Sequence, residues 1–272
     1  MESEQTNNLQ QWIEDEGYLV NPTLAVLREL ADSLAVGEGR VNILIKESVL
    51  RSIDREYTQA SQLAWLVDNG VIEFRGITGE YQTNLVATES VTGAFLTLEG
   101  LTVGVATDDE ELADQVLPMA TELWDGASEL TLRSPSHEVV ENTFTDLLGA
   151  DVYESFVASV RRMEQIGRGE VEGDGNPFTG GQHTHASILV AGAVHEISLR
   201  ALSRCVEQCF LASRSSLSRV KQRMEDEGYI ATTPLQTDVG RPPMQLHVAG
   251  LYTGDDIELL AERVYEDLHK DQ

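Results

Sequence analysis

The 272-residue chain has only two cysteines, Cys205 and Cys209. Two thiols cannot staple a chain of this length, so stability must rest on a packed core. No apolar run approaches the roughly 18 residues that cross a bilayer, and Met1 opens a polar stretch without a signal-peptide core. A soluble, cytoplasmic protein with no membrane partner is expected. Walker-type glycine loops, GxSxG elbows, CxxC pairs and HExxH helices are all missing. His195-Glu196 begins like a zinc-protease motif, but Leu199 occupies the place of the second histidine. His183, His185 and His195 lack the spacing of a ligand set, so no metal, cofactor or catalytic residue is expected.

Lysine is scarce as well: Lys46, Lys221 and Lys270 are the only three, against sixteen arginines. Asp and Glu number 46, and the formal charge is -27. Abundant carboxylates with so little lysine match a cytoplasm of molar salt, as in haloarchaea, where the Debye length is about 3 Å. Self-repulsion is screened there, so an acidic chain is not thereby excluded from nucleic acid. Apolar residues make up 41%, enough for a core and too many for a disordered acidic chain. The pairs Asp108-Asp109 and Asp255-Asp256 stand at apparent helix starts, where the helix dipole accounts for them without catalysis.

Residues 166–182, IGRGEVEGDGNPFTGGQ, hold six glycines and read as a linker. They divide an α/β sensor or dimerisation domain at 1–165 from a second domain at 183–272. In the first, Asn21-Pro22 opens a helix with Leu24, Leu27, Leu30 and Leu34 on one face. VNILIK (41–46) is a short strand, 49–69 reads as helix ending at Asn69-Gly70, and four short strands follow. From Asp108 a helix runs through Trp124 with Leu112, Val116, Met119, Leu123 and Trp124 inward. Two more helices fall at about 136–148 and 151–165. This order predicts a layered α/β domain with a mixed sheet.

The stretch 41–125, with NLVATESVTGAFLTLEG followed by GVATDDEELADQVLPMATELWDGA, resembles the phospholipase-D-like domain of TrmB-type sugar-responsive regulators. The superfamily's catalytic His-x-Lys is absent, and 41–125 contain no histidine at all. A phosphodiesterase, the rival reading, would lack its nucleophile.

The second domain carries the sharpest signal. ISLRALSRCVEQC (197–209) is an amphipathic helix, and Ser213 caps another over 214–228. YIATTPLQ, a turn TDVGRPP and MQLHVAG then form a two-stranded wing, completing a winged helix-turn-helix. On the second helix Leu217, Val220 and Met224 form a buried stripe. Ser215, Ser218, Arg219 and Gln222 fall opposite, with Arg214 and Arg223 on the flanks. Short hydroxyls allow close approach to base edges, and Arg and Gln can bond guanine and adenine bidentately. Arg241 at the wing tip can reach a phosphate or the minor groove. Between 200 and 241 seven basic residues meet five acidic ones, a positive island in an acidic chain that suits duplex phosphate. The alternative is a winged helix that docks proteins, an interaction module bridging other regulators without touching DNA.

With VNPT, the GVATDDE region, SRVKQRMEDEGYI and DVGRP together, the chain resembles the TbsP-type haloarchaeal transcriptional regulators. The resemblance implies a sequence-specific DNA-binding regulator of central carbon metabolism genes, with double-stranded promoter DNA as partner and a small metabolite as candidate effector. After the wing, Ile257, Leu260, Ala261, Val264 and Leu268 form an apolar stripe at spacings of three and four. That stripe needs cover. A second subunit would make a homodimer through Ile257, Leu260, Val264 and Leu268, and the chain's own N-terminal domain is the alternative.

Overall fold

The computed structural model describes residues 16–34, 39–79, 84–98, 101–169, 182–236, 242–250, 252 and 256–270. They form two compact units, one of residues 1–54 and 59–136, the other of 55–58 and 137–272.

The first unit is built on a seven-stranded sheet in the order β6-β5-β4-β1-β2-β3-β7. β1 (Glu16–Val20), β2 (Arg40–Ile45) and β3 (Ile72–Gly76) are parallel neighbours. β4 (Asn84–Thr88), β5 (Thr92–Leu98), β6 (Leu101–Thr107) and β7 (Ser128–Glu129) pair antiparallel. The parallel connections run through α1 (Leu24–Ser33), and through α2 (Glu47–Ile53) with α3 (Tyr57–Asp68). The expected helix at Asn21-Pro22 begins two residues later, because Thr23 accepts the Val26 N–H as cap and Asn21 takes a left-handed φ of 53°. The helix expected over 49–69 is broken in two at Asp54. That carboxylate leaves the helix and accepts the backbone N–H groups of Arg133 and Ser134, at 3.0 and 3.2 Å. Burial raises the Asp54 pKa, and these bonds oppose the rise.

α4 (Glu110–Asp125) covers the other face, with Val116, Leu123 and Trp124 packed inward as expected and Leu112 and Met119 turned outward. Ala113, Ala120 and Trp124 are its buried residues, whereas Met119 is 64% and Leu112 40% exposed. Two small alanines let the helix axis approach the strands closely, and Trp124 anchors its end. The Arg75 guanidinium lies 4.4 Å from the Trp124 ring centroid and donates to the Trp124 carbonyl at 3.0 Å.

The second unit contains α5 (His137–Leu147), α6 (Ala150–Gly169), α7 (Gln182–Val194), α8 (Leu199–Gln208), α9 (Arg214–Asp226), β8 (Ile230–Pro234), β9 (Met244–Val248) and α10 (Ile257–Lys270). The division therefore falls at 136/137 rather than in the glycine-rich stretch. α5 and α6, assigned by sequence to the N-terminal domain, contribute Val140, Phe144, Phe156, Val160 and Met163 to the core of this unit. Residues 170–181 lie outside the described residues. At the centre stands α7, buried from His183 through Ala193 except for the half-buried His185. A helix apolar on every side belongs inside a bundle, and α7 packs on α6, α9, α10 and β9.

The apolar stripe of α10 finds its cover here. Leu260 is 1% and Val264 0% exposed against α6 and α7, with Ala261 and Tyr265 equally buried and Ile257 packed beside them. The stripe closes the core of its own unit, so Leu260 and Val264 are not free to face a second subunit, and Ile257 is half-buried beside them. The Leu268 side chain lies outside the described residues.

Candidate nucleic-acid interface

α7, α8 and α9 followed by the β8–β9 hairpin form a winged helix. Ser198, between α7 and α8, makes a single-residue antiparallel bridge to Gln245 of β9. The Ser198 hydroxyl caps α8 through the Ala201 N–H at 3.2 Å, and Ser213 caps α9 through Ser216 at 3.1 Å. Gly192 lets α7 meet the motif closely: a Cβ there would stand 2.7 Å from Leu202 Cδ2 and 3.2 Å from Leu246 Cδ1. Cys205 and Cys209 are buried free thiols on the inner side of α8.

On α9, Leu217, Val220 and Met224 are buried as the wheel predicts. Arg214, Ser215, Ser218, Arg219 and Gln222 lie exposed on the other side. Among the described residues neither Arg219 nor Ser218 has a polar partner. Gln222 donates to Asp226 Oδ1 at 2.9 Å, Ser215 meets the Ser213 hydroxyl at 3.0 Å, and Arg214 pairs with Glu207 at 2.8 Å. Arg223 departs from the expected face. It is half-buried and donates to the Asp267 carbonyl of α10 at 3.4 Å, because the adjoining Met224 turns this flank toward the core. Lys221 is tied to Glu225 one turn on. Arg241 lies outside the described residues.

Two further exposed cations, absent from the sequence-based site, stand on α8. Arg200 and Arg204 are exposed one turn apart on α8, without a polar partner among the described residues. Their spacing of four would have disclosed them had α8 been read for its outer face as well as its inner one.

Beneath α9, His185 Nε2 lies 3.4 Å from the Ser216 hydroxyl, and burial lowers its pKa. At the base of the wing, the Tyr229 hydroxyl donates to the Asp267 carboxylate and approaches the Arg263 carbonyl at 3.1 Å, fastening the hairpin to α10. Burial, then the Asp267 carboxylate, raise the Tyr229 pKa, which keeps the phenol a donor. Among the described residues no group of three or more His, Cys, Asp or Glu is placed to hold a metal ion, and no helix is long and apolar enough to cross a membrane.

No curated protein matches the chain. Among solved structures it is similar to TrmBL2, an archaeal chromatin protein, at 15% identity with a TM-score of 0.36. The match covers 46% of this chain and spans 50% of the other. Two family models adjoin along the sequence. Residues 2–135 match "Transcriptional regulator TbsP-like, N-terminal", and residues 136–264 match "Transcriptional regulator TbsP-like, C-terminal HTH domain". Their junction falls where the two compact units divide, and the chain belongs to the TbsP-like transcriptional regulators.

Proposed function

We propose that this DNA-binding regulator inserts α9 into the major groove. Ser215, Ser218, Arg219 and Gln222 then face base edges, while Arg214 and the α8 pair Arg200 and Arg204 meet phosphate. The observation that carries this reading is Arg219, exposed opposite the buried Leu217–Val220–Met224 stripe and without a polar partner among the described residues. Arg241 adds a wing contact to backbone or minor groove. The reading includes no catalytic role. We infer that it acts on central carbon metabolism genes in the cytoplasm of a halophilic archaeon; the acidic, lysine-poor composition supports the halophilic setting, and the target genes are what the resemblance implies.

A homodimer pairing two half-sites fits this setting, because molar salt screens the phosphate contacts of a single recognition helix. Its subunits meet elsewhere than the buried face of α10. A small metabolite effector suits the cavity of about 480 Å³ in the first unit, at the end of β3 beside α4, lined by Gly76, Ile77, Thr78, Met119 and Leu123 among others.

Genome-wide occupancy at native salt, with and without a sugar carbon source, tests the regulon. Gel shifts of the promoter fragments it yields, with wild type and Arg219→Ala, test the groove assignment. Equal binding by the two proteins overturns that assignment. Absence of any shift favours an interaction module.

A further inference from the structure

Phe210, between α8 and α9, carries two features that are each unfavourable for a phenylalanine. The residue is 82% exposed, the most of any large hydrophobic among the described residues. Its backbone is left-handed, with φ of 58°. α8 closes on a Schellman pair, the Leu211 N–H to the Val206 carbonyl at 2.9 Å and the Phe210 N–H to the Glu207 carbonyl at 3.3 Å. Phe210 thereby occupies the position where helices favour glycine. Ending the helix calls for glycine, and filling the core calls for burial. This side chain does neither, so the fold does not explain it.

Its neighbourhood is that of the recognition helix. Phe210 precedes the α9 cap Ser213 by three residues, and Glu207, whose carbonyl it bonds, holds the guanidinium of Arg214 at 2.8 Å. The nearby groups of α9 are the Ser213 hydroxyl and the Arg214 guanidinium, both suited to DNA. The one apolar group that a major groove presents is the thymine C5-methyl. We propose that Phe210 is a specificity residue that packs against a thymine methyl at the edge of the groove entered by α9. This rests on the DNA-binding reading above and adds to it a base preference. Such a contact carries no charge, so molar salt leaves it intact while it screens the arginines.

The test uses the full chain and the duplex it selects from a random library at native salt, with deoxyuridine replacing thymidine one position at a time. At one or two positions the wild type loses about fourfold in affinity, the effect of one buried methyl. Phe210→Ala binds the thymidine duplex more weakly and no longer distinguishes the two bases at those positions. Phe210→Gly behaves likewise while melting no lower than wild type, since glycine accepts the left-handed backbone. Retained discrimination by Phe210→Ala, or wild-type affinity in either variant, overturns the proposal. So does a drop in oligomeric mass on light scattering, which would assign Phe210 to a protein interface. Failure to select any duplex over random sequence would instead remove the DNA-binding reading itself.

Discussion

Arg214, the first residue of α9, places its guanidinium 2.8 Å from the Glu207 carboxylate in the last turn of α8. Both side chains are exposed, and such pairs contribute about 0–1 kcal/mol to folding. The contact matters more for ligand binding, because duplex phosphate must displace Glu207 before Arg214 can engage it. Glu207→Gln is therefore expected to tighten DNA binding about two- to fivefold while changing unfolding free energy by less than about 1 kcal/mol. Fluorescence anisotropy and urea titration measure the two effects; unchanged affinity would mean that Arg214 does not touch DNA.

Arg219→Ala and Gln222→Ala are each expected to weaken binding to the preferred duplex by about 1–3 kcal/mol and to relax base preference. Arg241→Ala should weaken binding across all sequences. Arg223→Ala belongs to another class: its bond to the Asp267 carbonyl ties α9 to α10, so its effect is a lower melting temperature with sequence preference intact. Competition binding against randomised duplexes separates the two patterns.

The buried face of α10 predicts a stability effect without a change of assembly. Leu260→Ala removes a side chain 1% exposed against α6 and α7, and about 2–5 kcal/mol of stability with it. Chemical denaturation measures the loss. The mass on light scattering should match that of the parent, and dissociation of a dimeric parent would return this face to the subunit interface.

Gly192→Ala should destabilise the winged helix by about 1–3 kcal/mol through overpacking, since its Cβ would press on Leu202 at 2.7 Å. A melting temperature equal to wild type would show that Leu202 and Leu246 can give way.

Burial holds His185 below its ordinary pKa of 6.5, so the unfolded chain takes up this proton first. The contribution of neutral His185 is complete above pH 6.5 and is lost as pH falls toward the lower folded value. Urea unfolding is expected to show stability declining from pH 7.5 to 5, with a shallower slope in His185→Gln. Equal slopes would remove His185 from the pH response.

Where a residue's role was set by its near neighbours, the sequence was enough. Ser213 caps α9 through a bond spanning three residues, and Leu217, Val220 and Met224 mark the inner face of α9 by spacing alone. The winged helix was legible for that reason, as were β2 to β6 of the mixed sheet, whereas the central strand β1 and the short edge strand β7 were not read from the sequence.

Tertiary structure decided what covers each face. The pattern in α4 admitted more than one roll, and the fit of Ala113 and Ala120 to the sheet left Met119 outside. The stripe of α10 announced a need for cover without naming α6 and α7, which lie well upstream in the chain at 150–169 and 182–194. Arg223 stands on the flank opposite Arg214, as far from the buried stripe, and helical phase alone did not show that α10 covers that flank. Periodicity reports that a helix has an apolar side, because burial acts on spacing along one helix. Which partner buries that side depends on long-range packing, and that is settled only when the whole unit closes.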